Sequence, residues 1–164
     1  MMSRDSMNSD AGTVMIVDDE AMVVGAIQGF LELETDHLVI PFTSPQAALE
    51  RLAEESVHTI VADLMMPGLD GVEFLTRARE LRPEATRILL TGYADKENAI
   101  RAINEAGLYQ YLEKPWDNDA LAFAIRNGVE RSQLFRALTE RMGELEAAHE
   151  ELAGLRERWI HAFL

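Results

Sequence analysis

The chain contains no cysteine among its 164 residues, so disulfide bonds and thiolate metal ligands are excluded. No apolar run approaches the roughly 18 residues that a transmembrane helix needs. The N-terminus also lacks a basic segment followed by an apolar one, which is the pattern of a secretion signal. We therefore expect neither a membrane span nor a secretion signal.

Basic residues are scarce as well. The 15 Lys and Arg residues stand against 29 Asp and Glu residues, which gives a formal net charge of −14. Proteins bind nucleic acids largely through contacts of Lys and Arg with phosphates, so this balance argues against direct nucleic-acid binding by this chain. The hydrophobic content of 48% is ordinary for a globular protein and is enough for a core.

Short strand-like runs alternate with helical patterns from Thr13 onward. The predicted strands are residues 13–18, 37–42, 58–63, 86–91 and 109–113, and the predicted helices between them are residues 20–34, 44–56, 70–82 and 95–106. This alternation predicts a parallel sheet with right-handed crossovers. Several of the strands are nearly continuous apolar runs, which is typical of strands covered by helices on both faces. We predict an α/β fold of three layers, with a doubly wound sheet of five parallel strands.

The two ends of the chain differ from this central part. Residues 1–12 are polar, small and unpatterned, and we interpret them as a disordered lead-in. From about residue 117 to residue 162 helix-forming residues dominate, which predicts one long helix. We predict a globular domain over residues 13–131 and a helical extension over residues 132–164.

The extension carries an apolar side chain at every seventh position. These residues are Leu138, Leu145, Leu152 and Trp159. Met142 occupies an intervening core position, whereas His149 and Arg156 make other intervening positions polar. The spacing is typical of a coiled coil, so we predict a homodimer through this helix. The alternative is that the helix folds back onto its own domain.

Polar side chains follow four of the predicted strands at the point where each strand ends. They are Asp18 and Asp19, Asp63, Thr91 and Lys114. The carboxyl ends of parallel strands lie at one edge of an open sheet, where such folds bind their ligands. Adjacent carboxylates repel each other unless a cation neutralises them, and Mg²⁺ prefers oxygen ligands. The pattern therefore predicts a Mg²⁺ site, although each residue taken singly could also be a helix cap or a solvated turn residue.

Asp63 is the candidate nucleophile at this edge. A carboxylate can attack a phosphoryl group and form an acyl phosphate, and a metal ion together with Lys114 can stabilise the charge of the transition state. A different hypothesis is an aspartyl-nucleophile phosphatase of the haloacid dehalogenase type. That class requires an Asp-x-Asp motif after the first strand, and the order Asp18-Asp19-Glu20 does not provide it.

Four segments resemble the motifs of the response-regulator receiver domain of two-component signalling. They are Val-Asp-Asp-Glu at 17–20, Asp-Leu-Met-Met-Pro-Gly-Leu-Asp-Gly at 63–71, Leu-Thr-Gly-Tyr at 90–93 and Tyr-Leu-Glu-Lys-Pro-Trp at 111–116. The resemblance covers roughly residues 13–131. It implies a flavodoxin-like sheet with strand order 2-1-3-4-5, a cytoplasmic location, and a histidine kinase or phosphotransfer protein as the phosphodonor. The long helix would then relay the change to an output domain or partner.

The resemblance also implies roles for individual residues. Asp63 is implied to be the phosphoacceptor and, together with Asp19, a direct ligand of Mg²⁺. Asp18 is implied to act on the ion through a water molecule, and the main-chain carbonyl of Met65 is implied to be a further ligand.

The same resemblance assigns the residues that respond to phosphorylation. Thr91 and Lys114 are implied to hold the phosphoryl group, and Tyr111 is implied to turn inward as Thr91 moves. The peptide bond between Lys114 and Pro115 is implied to be cis.

Two positions modulate the lifetime of the phosphoryl group in the family. Met65 and Tyr93 occupy them, and neither side chain is acidic or an amide. We therefore expect slow self-dephosphorylation and no other enzymatic activity. The remaining alternative is an interaction module of the same fold that phosphorylation does not switch, against which the complete set of acidic, Thr and Lys residues argues.

Overall fold

A computed structural model describes residues 11–92 and 96–163 of the chain. Residues 1–10 of the predicted lead-in therefore lie outside the described residues, and so does Tyr93. Five strands and five helices follow one another in strict alternation. They are β1 (Thr13–Val17), α1 (Ala21–Glu34), β2 (Leu38–Phe42), α2 (Pro45–Glu54), β3 (Thr59–Asp63), α3 (Gly71–Leu81), β4 (Thr86–Thr91), α4 (Lys96–Glu105), β5 (Gln110–Glu113) and α5 (Asn118–Phe163). The predicted elements are confirmed, and their ends differ from the observed ones by no more than two residues.

The strands form one parallel sheet in the order β2-β1-β3-β4-β5. The register aligns Val17 with Ala62, Asp63 with Leu90 and Thr91 with Glu113. Because the strands are parallel and their last residues pair with one another or nearly so, their carboxyl ends meet at one edge of the sheet. The predicted three-layer α/β fold with strand order 2-1-3-4-5 is confirmed.

Helices cover both faces of the sheet and bury two hydrophobic clusters. On one face α1 and α5 pack over residues of β1, β3 and β4, with Leu31 and Leu121 fully buried. On the other face α2, α3 and α4 pack around Phe74 and Leu75, which are fully buried as well. Strands covered on both faces explain the apolar runs in the sequence, since neither set of alternating side chains meets water.

Local signals define where helices begin. Ser44 precedes Pro45, and its hydroxyl accepts a hydrogen bond from the Ala47 N–H at 3.3 Å. Asp70 caps α3 in the same way, with its carboxylate accepting from the Glu73 N–H at 2.8 Å. Such caps satisfy backbone donors that have no partner within the helix.

The last helix, α5, is 46 residues long and belongs to two compact units. The first unit ends at Ser132, and the second begins at Gln133. In the second unit the residues at seven-residue spacing are all exposed: Leu138 (62%), Leu145 (70%), Leu152 (66%) and Trp159 (68%). Met142 is 61% exposed. Within the described part of the chain, no helix combines the length and apolar character needed to cross a membrane.

Candidate functional site

Three carboxylates converge at the carboxyl edge of the sheet. Asp18 and Asp19 directly follow β1, and Asp63 is the last residue of the neighbouring strand β3. One oxygen from each of the three lies within 4.8 Å of the others. Asp18 and Asp63 are buried, whereas Asp19 is exposed. The three carboxylates that the sequence predicted to meet at this edge therefore lie close together.

Lys114 brings a positive charge to the same cluster. Its ammonium nitrogen lies 2.9 Å from Asp63 Oδ1 and 3.8 Å from Asp18 Oδ2. The backbone holds Lys114 in place, because its N–H donates to the carbonyl of Thr91 at 2.7 Å. The bond between Lys114 and Pro115 is cis.

Burial and neighbouring charges shift the pKa values of this cluster. Burial raises the pKa of Asp18 to about 6, and the nearby charges of Asp63 and Asp19 act in the same direction. The hydrogen bond from the Glu20 N–H, 2.9 Å from Asp18 Oδ1, and the charge of Lys114 oppose the rise. These carboxylates are therefore costly to hold ionised together without further positive charge.

The pKa of Lys114 is raised. Burial by itself lowers it, but the hydrogen bond to Asp63 and the charges of Asp63 and Asp18 outweigh burial. Lys114 consequently stays protonated near neutral pH, and the site holds one fixed cation against three acidic groups.

The acidic cluster also fits a divalent cation. Asp18 Oδ2 is buried and has no hydrogen-bond partner, so an acceptor atom is available where the three carboxylates meet. All of these donors are oxygen atoms, which suits a hard ion such as Mg²⁺. The Met65 side chain is 68% exposed, and the role of its main-chain carbonyl stays a prediction.

The raised pKa of Asp18 predicts how the metal-free protein responds to pH. The pKa in the folded state lies above the ordinary value of 3.8, so ionisation opposes folding. The contribution of Asp18 to stability therefore falls as pH rises from about 4 to about 6 and stays reduced above that range. In a chelating buffer, Asp18→Asn is expected to raise the free energy of unfolding by about 1–2 kcal/mol near pH 7, with the gain disappearing near pH 4.

Denaturant titration at both pH values checks this expectation. Asp36→Asn, which changes an exposed carboxylate, is the matched control and should show little gain at either pH. A variant of Asp18 that is no more stable than wild type near pH 7 would show that the ionised carboxylate is well accommodated without metal.

Thr91 and Tyr111 lie on the neighbouring strands β4 and β5. Thr91 ends β4 and is 2% exposed. Tyr111 belongs to β5, is paired with Leu89 and is 40% exposed. The hydroxyl residue therefore lies at the same sheet edge as Asp63, whereas the tyrosine is partly open to solvent.

Gly71 is a site residue that sequence reasoning does not single out. A Cβ atom added there would lie 2.3 Å from the Asp63 carbonyl oxygen and 2.8 Å from Leu64 Cα. The Gly71 N–H donates to the Leu64 carbonyl at 2.8 Å. The start of α3 thus packs directly on the backbone that carries Asp63, which only glycine permits. The available signal is a glycine immediately after the capping Asp70.

The chain is similar to known proteins over most of its length. The family model described as "Response regulator receiver domain" matches residues 14–126. The hydrogenase transcriptional regulatory protein HoxA of Cupriavidus necator is 41% identical over 128 residues, which are 78% of this chain and 26% of that protein. The C4-dicarboxylate transport transcriptional regulatory protein DctD of Rhizobium meliloti is 32% identical over 144 residues, 88% of this chain and 31% of that protein.

Solved structures show the same likeness. A response regulator receiver domain protein from Clostridium thermocellum superposes with a TM-score of 0.70 at 31% identity, covering 75% of this chain and 98% of that one. The chain spans only about a quarter to a third of the length of the two curated relatives.

Proposed function

The chain belongs to the response regulator receiver domain family, and from that we propose that Asp63 is its phosphoacceptor, with a phosphohistidine of a histidine kinase or phosphotransfer protein as the donor. The single observation that carries the proposal is the buried Asp63 carboxylate. It lies 2.9 Å from the Lys114 ammonium and within reach of two further carboxylates. Receiver domains are signalling domains of two-component systems rather than enzymes with a turnover substrate.

The transfer reaction uses the chain's own groups as follows. A carboxylate oxygen of Asp63 attacks the phosphorus, the P–N bond of the phosphohistidine breaks, and the imidazole nitrogen leaves with the bonding electrons. The Lys114 ammonium, held at the same carboxylate, offsets the negative charge on the phosphoryl oxygens. Thr91, at the end of the adjacent strand, donates its hydroxyl to one of those oxygens after transfer.

The fitting cation is Mg²⁺. Asp19 and Asp63 would hold it directly, Asp18 through a water molecule, and Met65 through its main-chain carbonyl. When bound, the ion supplies positive charge that stabilises the phosphoryl group.

The response to phosphorylation follows from Thr91 and Tyr111. We propose that Thr91 moves toward the phosphoryl group and that Tyr111 turns from its partly exposed position into the space left behind. This is a shift between two existing conformations, so a minor fraction adopts the active form without phosphate. The 40% exposure of Tyr111 supports the interpretation that the structure represents the unphosphorylated, inactive conformation.

We propose that α5 transmits the signal. The part of α5 that begins at Gln133 would pair with the same part of another copy of the chain. The support is the exposed apolar series from Leu138 to Trp159, for which water is an unfavourable environment. The relatives are transcriptional regulators, and the aligned part of this chain spans only 26% and 31% of their lengths. On that ground we propose that the helix relays the change to an output domain or partner in the cytoplasm.

Labelling with a small phosphodonor such as acetyl phosphate, in the presence of Mg²⁺, tests the function. Stoichiometric labelling that depends on Asp63 supports the receiver function. Steady release of phosphate from generic phosphate esters would instead support the phosphatase hypothesis. If neither a small donor nor a kinase labels the chain, the result would support an interaction module that phosphorylation does not switch.

Slow self-dephosphorylation is a separate expectation. Met65 lies two residues after Asp63, and its exposed side chain has no group that could orient a water molecule for attack. The phosphorylated protein should therefore decay over minutes or longer once the donor is removed, as followed by gel separation of the two forms. Met65→Gln adds an amide there and should shorten the lifetime, whereas loss within seconds from the wild type would contradict the expectation.

A further inference from the structure

Three arginines gather at the edge of the sheet opposite to the acidic cluster. They surround the segment 106–109 between α4 and β5. The Arg87 side chain donates to the Gly107 carbonyl at 3.2 Å. The guanidinium of Arg79 would lie 3.1 Å from a Cβ added at Gly107. The guanidinium carbon of Arg131 lies 4.8 Å from the centre of the Tyr109 ring.

Arg87 forms the inner part of this arginine cluster. Its guanidinium donates to the carbonyls of Ala85 and Ala106, both at 2.8 Å, in addition to Gly107. These bonds connect the turn before β4 to the end of α4. They occupy the donors of Arg87 but leave its positive charge in place, since carbonyl oxygens are neutral.

Arg79 and Arg131 form the outer, exposed part of the cluster. None of the ion pairs between described residues includes Arg79, Arg87 or Arg131. The same helices offer a contrast, because Arg77 on α3 pairs with a carboxylate at 3.3 Å and Arg126 on α5 pairs with one at 3.5 Å. The Arg79 and Arg131 guanidiniums instead lie on a glycine and on an aromatic ring.

The charge of the cluster is incompletely compensated. Burial, together with the charges of Arg79 and Arg131, lowers the pKa of Arg87 to about 10. Glu84 is the acidic group that opposes them. Mutual repulsion of this kind is relieved when an anion binds. The concentration of positive charge stands out in a chain whose net charge is −14.

We propose that Arg79, Arg87 and Arg131 form a binding site for a compact polyphosphate group, present either as a free anion or in a nucleoside polyphosphate. Guanidinium groups match phosphate oxygens in geometry and bind them with two parallel hydrogen bonds. The outer arginines supply the hydrogen bonds, and Arg87 supplies charge beneath them. An extended acidic peptide fits less well, because most of its length would face the surrounding carboxylates of an acidic chain.

The test leaves out Mg²⁺, so that neither metal binding at the acidic cluster nor phosphorylation of Asp63 contributes to the measured binding. The full chain is titrated calorimetrically, in a chelating buffer of about 0.15 M salt, with pyrophosphate, with ADP and with a polyglutamate peptide. Arg79→Gln combined with Arg131→Gln is compared with Arg77→Gln combined with Arg126→Gln. Both pairs remove one charge from α3 and one from α5, but only the first pair belongs to the cluster.

The wild type is expected to bind pyrophosphate saturably and to shift the amide resonances of Gly107 and Tyr109. The cluster variant should bind at least about tenfold more weakly, and the control variant should stay within about twofold of wild type. Binding of pyrophosphate alone identifies a free anion, and equal or tighter binding of ADP identifies a nucleotide. Absence of saturable binding, equal losses in both variants, or binding of polyglutamate alone would overturn the proposal.

Discussion

Replacing Asp63 by alanine should abolish phosphorylation of the chain. The variant keeps the acidic residues after β1 and keeps Lys114, but it lacks the only oxygen nucleophile that the proposal places at this position. Because no acyl phosphate can form there, incorporation of phosphate from acetyl phosphate should fall by about 100-fold or more, to the background level. Intact-protein mass spectrometry measures it, since each phosphorylated chain gains the mass of one phosphoryl group.

Two controls make this result specific. Asp70→Asn changes another aspartate of the same loop and keeps an acceptor that can cap α3, so labelling should persist. Chelation of Mg²⁺ from the wild type should suppress labelling without unfolding the protein, as far-ultraviolet circular dichroism can show. Beryllium with fluoride, which mimics a phosphoryl group, should bind the wild type but not Asp63→Ala.

The contrary outcomes are equally clear. Stoichiometric labelling of Asp63→Ala would place the acceptor elsewhere. Failure of the wild type to label with any donor or to bind the beryllium mimic would remove the phosphoacceptor proposal altogether. In that case the chain would be an interaction module that keeps the receiver fold without its chemistry.

Disrupting the apolar series of the second unit should dissociate the proposed homodimer. Leu145 and Leu152 are 70% and 66% exposed, and burying a leucine side chain stabilises an interface by about 1.5–3 kcal/mol. Changing both to glutamate removes this gain in each copy and adds like charges at the seam. The dissociation constant of the dimer, measured by sedimentation equilibrium, should rise by about 100-fold or more.

A variant with the same added charge on the other side of the helix is the control. Ala137→Glu with Ala147→Glu places two glutamates at exposed positions that face away from a seam formed by Leu145 and Leu152. The dimer dissociation constant of this variant should be close to that of the wild type. A wild-type chain that stays monomeric at high concentration, or equal weakening by both variants, would contradict the proposed pairing.

Comparing wild type with and without the beryllium mimic then tests the relay. If phosphorylation acts through this helix, the dimer dissociation constant or the dimer geometry must differ between the two states, because a ligand shifts an equilibrium only through unequal affinity for its states. Identical affinity and geometry in the two states would show that the dimer does not transmit the phosphorylation signal.

Much of this protein was predictable from the sequence because the signals are local. The alternation of apolar runs and helical patterns depends on neighbouring residues and on the geometry of strands and helices. It placed each element within two residues of its observed ends. The observed cap of α2, in which Ser44 precedes Pro45, likewise involves only neighbouring residues. The set of acidic, Thr and Lys residues at strand ends was also visible, since parallel strands bring their carboxyl ends together.

Other features depend on packing between distant parts of the chain. The need for glycine at position 71 comes from a helix that packs on the Asp63 backbone, and the capping Asp70 before it is only an indirect sign of that packing. The burial of Asp18 beside an exposed Asp19 depends on which strand ends are covered. The arginine cluster combines side chains from α3, β4 and α5, and the net charge of −14 gave no indication of it.

The sequence by itself determined the elements, their alternation and the kinds of groups at one sheet edge, because these follow from short-range periodicity and from residue chemistry. Only the tertiary structure decided the 2.9 Å contact between Lys114 and Asp63, the partly exposed state of Tyr111 and the gathering of Arg79, Arg87 and Arg131. Strand register, helix packing and side-chain conformation set these distances, and each of them arises from contacts between residues that are far apart in the chain.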